Sequence, residues 1–194
     1  GAEKPVGVAH GLNVKPLSFL VNLIADIGFN CVRLSFSLEL VLQNTSRVSD
    51  PISLAANPEF RNRSPMEILD LCVQALTEKG IMVILNIHTL ASLRCCAIDD
   101  GDGLWYSTHT IAGRRRFSEM QFLVGLASMT RRYKNNSLVV AFDLKNEIRG
   151  DWAASPPVIP TWGGGDVATD WYLAARQASL RVLEENPNML IIVT

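Results

Sequence analysis

Four short runs of β-branched and other apolar residues, at 29–36, 81–87, 138–144 and 189–193, predict strands. Between them apolar positions recur three and four apart, which predicts helices over 16–27, 65–79, 116–133 and 167–185. In the second of these, Ile68, Leu69, Cys72, Ala75 and Leu76 share a face, and Ser64 followed by Pro65 supplies an N-cap and a proline at the first helical position. Helix and strand alternate throughout. Such alternation implies right-handed crossovers and a parallel sheet, hence an α/β fold.

Connection lengths are asymmetric. Helices return to strands through Gly28, Gly80, 134–137 and 186–188, whereas strands leave for helices through 37–64, 89–115 and 145–166. The long loops therefore all emerge at the carboxyl ends of the strands, where open α/β sheets and (β/α) barrels place their active sites. Gly163, Gly164 and Gly165 lie deep in a long loop rather than between a strand and a helix. A doubly wound nucleotide-binding domain thus finds no phosphate-binding glycine motif here.

With 194 residues, 48% hydrophobic and 19% charged, the chain has the size of one domain and can build a core without metal or disulfide staples. Its net charge of -1 argues against nucleic acid as a partner. The basic run Arg114, Arg115, Arg116 is short, is followed by Glu119, and reads as a solvated helix start. No apolar stretch approaches the ~20 residues of a membrane span. Cys31 and Cys72 fall in apolar patterns and read as buried, while the adjacent Cys95 and Cys96 allow either a disulfide or a reduced pair. The chain opens on Gly1 without a signal-like segment, so its native amino terminus is expected to be missing. Sequons at Asn44, Asn62 and Asn135 point only weakly to secretion.

Three strand ends carry polar groups that packing alone does not select. Arg33 interrupts the first strand, His88 closes the second, and Asn146 with Glu147 closes the third. Arg33 reads either as a site residue or as a structural ion pair, and a strand with both faces covered favours the former. His88 is equally a site group or a partner for a loop carbonyl. A carboxyl beside an amide at a strand tip suits proton donation to a polar substrate, although Glu147 could also pair with Arg149.

The run Phe142-Asp143-Leu144-Lys145-Asn146-Glu147-Ile148-Arg149-Gly150 resembles the Asn-Glu signature of glycoside hydrolase family 5, the cellulase A family of (β/α)8 barrels. Gly28 through Leu34 resembles the family's strand 2, Ile84 through His88 its strand 3, and Leu104-Trp105-Tyr106 a loop on the substrate side. The stretches Trp162 through Asp166, Asp170-Trp171 and Asn186-Pro187-Asn188 recur in its bacterial-type endoglucanases. Ile148 stands where most members have proline.

The resemblance implies a retaining hydrolysis of β-linked oligo- or polysaccharide, β-1,4-glucan foremost, by two carboxyl groups about 5 Å apart. By motif, Glu147 corresponds to the acid/base and Asn146 to the residue that holds the sugar 2-hydroxyl. Arg33 would bond the nucleophile and His88 would line the glycone site. For Trp105, stacking on a sugar ring and packing in a loop remain open. No metal or organic cofactor is implied, and secretion is. On this alignment, 1–194 is a partial barrel covering strands 2 to 5, without strand 1 or strands 6 to 8. The nucleophile, which follows strand 7 in the family, has no position in it. A non-catalytic carbohydrate-binding remnant is the alternative. Four strands out of a barrel also leave open edges at 29–36 and 189–193, so self-association is expected.

Overall fold

The apolar runs become four parallel strands, β1 (Cys31–Ser37), β2 (Met82–Thr89), β3 (Val139–Asp143) and β4 (Leu190–Ile192), which neighbour one another in chain order. Sequential order is the arrangement of a barrel, since a doubly wound sheet reverses at a switch point. The computed structural model describes residues 7–43, 51–93, 95–111 and 116–194. The readings made for Gly1, Asn44, Arg114 and Arg115 lie outside the described residues.

Helices α1 (Leu17–Ile27), α2 (Leu38–Leu42), α3 (Pro65–Glu78), α4 (Glu119–Tyr133) and α5 (Trp171–Glu185) alternate with the strands. Four of their starts are set by side chains. Ser64 and Glu67 form a capping box at α3, with the Ser64 N–H donating to Glu67 Oε2 at 2.7 Å. A second box, Ser118 with Gln121, starts α4 at Glu119 instead of Arg116. Asp170 caps α5 by accepting from the Tyr172 N–H, and also accepts from Gly163 and Gly165, which shortens the predicted helix by four residues. The five-residue α2 lies inside the first long loop. It is too short for a helical period to show, and Ser37 caps it through a 3.1 Å bond from Leu40 N–H. Its Leu38 packs so closely on α4 that a Cβ at Gly125 would come within 2.3 Å of Leu38 Cδ1.

Strand periodicity sorts the sheet into two faces. Phe36, Val83, Leu85, Ile87 and Phe142 are fully buried in one apolar cluster with side chains from every helix. Arg33 and Ser35 on β1, Asn86 and His88 on β2, and Asp143 on β3 point the other way. Ser35, Asn86 and Asp143 are in register, with Ser35 Oγ donating to Asn86 Oδ1 at 3.2 Å. The expectation that both faces of β1 are covered is therefore corrected. Helices cover one face, and the Arg33 side chain keeps 36% of its exposure on the other. Apolar surface is also open on α1, where Phe19, Leu23 and Ile27 recur at four-residue spacing and are exposed.

Candidate active site

Arg33, His88, Asn146 and Glu147 come together at the carboxyl end of this polar face. Arg33 Nε donates to Asp143 Oδ2 at 2.6 Å and Nη2 donates to Asn146 Oδ1 at 3.0 Å, so one guanidinium spans β3 and the loop after it. Burial raises the Asp143 carboxyl above the usual carboxylate value, and the Arg33 charge offsets part of that rise. His88 Nδ1 lies 3.0 Å from Asn86 Oδ1, which only accepts, so the Nδ1 proton belongs to that bond. Burial, with Arg33 and Lys145 nearby, lowers His88 to about 4, while Glu147 works in the opposite direction. The imidazole is neutral over the mildly acidic and neutral range.

Lys145, fully buried, organises the loops. Its Nζ donates to the carbonyl of Asp102 at 3.1 Å and to those of His88 and Asn146 at 3.4 Å, and sits 3.6 Å from Asp102 Oδ1. Burial lowers the Lys145 ammonium and raises the Asp102 carboxyl, each opposed by its partner's charge. Glu147 follows in the left-handed region at φ 42°, unusual for a side chain with a Cβ. It is exposed, and among the described residues its carboxylate has no hydrogen-bond or ion-pair partner. The alternative, a side-chain pair with Arg149, does not form; Arg149 Nη1 reaches only the Glu147 backbone carbonyl, at 3.4 Å. Arg149 instead clasps both carboxylate oxygens of Asp100, at 2.9 and 2.8 Å.

Trp105 requires a correction. It is completely buried, with ring centroids 5.5 Å from Trp171 and from Tyr106, and its indole N–H donates to Glu119 Oε1 at 3.2 Å. It therefore has no face to offer a sugar. A flat apolar ring with one donor was satisfied by packing between a loop and α5. Asp143, Asn86 and Lys145 join the cluster although none stands out singly in the sequence; the alternation of polar residues along β1 and β2 is the signal for a second, polar sheet face. The Cys95–Cys96 disulfide, one of the two states that the sequence allows, brings its sulfurs toward Asn146 Nδ2. The ligand atoms of His88, Cys95 and Cys96 fall within 4.8 Å of one another, but sulfurs joined to each other are not thiolate ligands. A cleft of about 560 Å³ between Tyr106, Phe117, Glu119 and Val167 contains none of the four strand-end residues in its lining.

A partial (β/α) barrel with a polar cluster at its strand ends is the class that this geometry defines. The family model described as cellulase (glycosyl hydrolase family 5) matches residues 8–194, and the chain belongs to that family. It is similar to an endoglucanase of Paenibacillus polymyxa, 30% identical over all of this chain and 43% of the relative. The major extracellular endoglucanase of Xanthomonas campestris is 32% identical over all of this chain and 35% of its own length. The solved catalytic domain of that Xanthomonas enzyme superposes with a TM-score of 0.81 at 30% identity, covering 100% of this chain and 49% of the domain. An endocellulase from Pyrococcus horikoshii, solved with cellotetraose, gives 0.80 at 30% identity, covering 100% and 48%. The chain thus spans about half the length of these structures and less than half of the curated relatives.

Proposed function

We propose that the full-length protein carrying this chain is a retaining endo-β-glycosidase acting on β-1,4-glucan. The observation that carries the reading is the unpartnered Glu147 carboxyl at a strand end, next to an Asn146 amide fixed by Arg33. The names of the relatives and the cellotetraose held by a structural neighbour support the substrate class.

In this reading Glu147 protonates the glycosidic oxygen as the bond breaks and then takes a proton from the incoming water. Asn146 donates to the sugar 2-hydroxyl, a bond that strengthens as positive charge develops on the ring. Arg33 holds the amide with its oxygen turned away from the sugar. His88, neutral and tethered to Asn86, offers its other ring nitrogen as an acceptor for a hydroxyl. The nucleophile is supplied by a part of the barrel beyond these four strands. Proton NMR of cello-oligosaccharide hydrolysis by the full-length protein tests the reading: the β-anomer is expected first, and initial release of the α-anomer would refute retention.

A further inference from the structure

Cys95 and Cys96 lie in the loop between β2 and α4, directly against the amide of Asn146. Because Asn146 Oδ1 accepts from Arg33, its Nδ2 turns to the sulfurs, 3.8 Å from Cys95 Sγ and 3.7 Å from Cys96 Sγ. Sulfur is a weak acceptor. Asn146 is 6% exposed, so a nearly buried donor faces partners that only weakly satisfy it, at the edge of the sugar site. The sulfur loop does not float. Arg149, two residues past Glu147, holds Asp100 with two bonds, donates to Ala97 O at 3.1 Å, and joins Gly103 O through its backbone N–H at 2.9 Å. Asp100 Oδ2 in turn accepts from Ala97 N–H at 2.9 Å. One arginine therefore fixes the disulfide and the Glu147 segment relative to each other.

We propose that the Cys95–Cys96 disulfide is a positioning element of the sugar site: it walls the Asn146 carboxamide with a poor acceptor and so leaves the amide N–H for a substrate hydroxyl. This rests on the glycosidase reading above. Reduction by a dithiol opens the S–S bond to two thiols while the reagent closes to its own cyclic disulfide. The freed sulfurs rotate apart, and any thiolate formed is a stronger acceptor that competes for Nδ2.

The test uses the full-length protein, oxidised and after dithiothreitol, with the two states verified by thiol counting. Aryl β-cellobioside and its analogue lacking the 2-hydroxyl at the reacting sugar are compared. Reduction is expected to lower kcat/KM about tenfold on the parent substrate, the equivalent of one hydrogen bond, with little change on the 2-deoxy analogue and recovery on reoxidation. A paired Cys95→Ser, Cys96→Ser variant should lose more than the paired alanine variant, because a hydroxyl accepts from Nδ2 and a methyl does not. Equal losses on both substrates, or none on reduction, would overturn the proposal and leave the glycosidase reading standing. An oxidised protein that neither hydrolyses nor binds cello-oligosaccharide would overturn that reading, and this inference with it. Should the variants fail to fold, the reversible reduction of the unaltered protein decides alone.

Discussion

Arg33 Nη2 donates to Asn146 Oδ1 across 3.0 Å, and this bond fixes which end of the carboxamide turns away from the guanidinium, toward the Cys95 and Cys96 sulfurs. The same guanidinium is anchored on Asp143, so β1, β3 and the loop that carries Asn146 and Glu147 share one planar group. A lysine cannot reproduce a fork of fixed geometry.

Arg33→Lys in the full-length protein is therefore expected to lower kcat/KM on cello-oligosaccharides about a hundredfold, through loss of a charge-assisted bond and of amide orientation. Steady-state kinetics with circular dichroism to confirm folding checks it. Activity within twofold of the parent would mean that Asn146 is oriented by something else.

Glu147→Ala should separate substrates by leaving group. A sugar alkoxide needs a proton to depart and a nitrophenolate does not, so hydrolysis of polysaccharide should fall by about 10² to 10⁴ while aryl cellobiosides with good leaving groups lose far less. Comparable losses on the two would assign Glu147 a different role.

His88 makes stability depend on pH in a defined window. Its folded pKa of about 4 lies below the unfolded value of 6.5, so the unfolded chain binds the extra proton between them. Stability from this group is complete above about pH 6.5, falls as pH drops toward 4, and loses no more below that. For a half-buried ring the loss is on the order of 1 kcal/mol after solvent screening. Melting temperatures at pH 7 and pH 4.5 should diverge less in His88→Gln than in the parent; parallel declines would exclude His88 as the cause.

The 194-residue chain by itself is expected to self-associate and to release no reducing sugar. Both outer strands, β1 and β4, expose backbone edges, and Phe29 and Leu190 beside or within them are more than 60% exposed. The resemblance places the second carboxylate after a seventh strand, and this sheet has four. Light scattering and a reducing-sugar assay check the two halves. A monodisperse monomer that degrades cellulose and loses that activity with Glu147→Gln would contradict both.

The alternation of apolar runs was enough to locate all four strands and the four long helices around them, though not the five-residue α2, because burial on one sheet face imposes period two and on one helix face period 3.6. What escaped was whatever depended on a single contact. The starts of α4 and α5 were set by Ser118 and Asp170, whose caps overrode apolar periodicity extending beyond them. At the site, Arg33, His88 and Asn146 announced themselves as polar residues in apolar strands. Asn86 and Asp143 continue the same polar alternation, but the pattern does not show their role, which is to hold Arg33 and His88. Trp105 shows the reverse: a residue type suited to sugars was drawn into packing by Trp171, 66 positions away in sequence.

The buried ammonium of Lys145 bears on how such a scaffold can diversify. By joining the His88, Asp102 and Asn146 carbonyls it makes the roots of two long loops a single rigid footing, independent of what their tips contain. Exchanges at exposed tip positions such as Ile98, Trp152 or Trp162 can then reshape a groove without shifting the strand-end residues beneath. The rim can drift in shape and chemistry while the arrangement of groups at the strand ends is inherited unchanged.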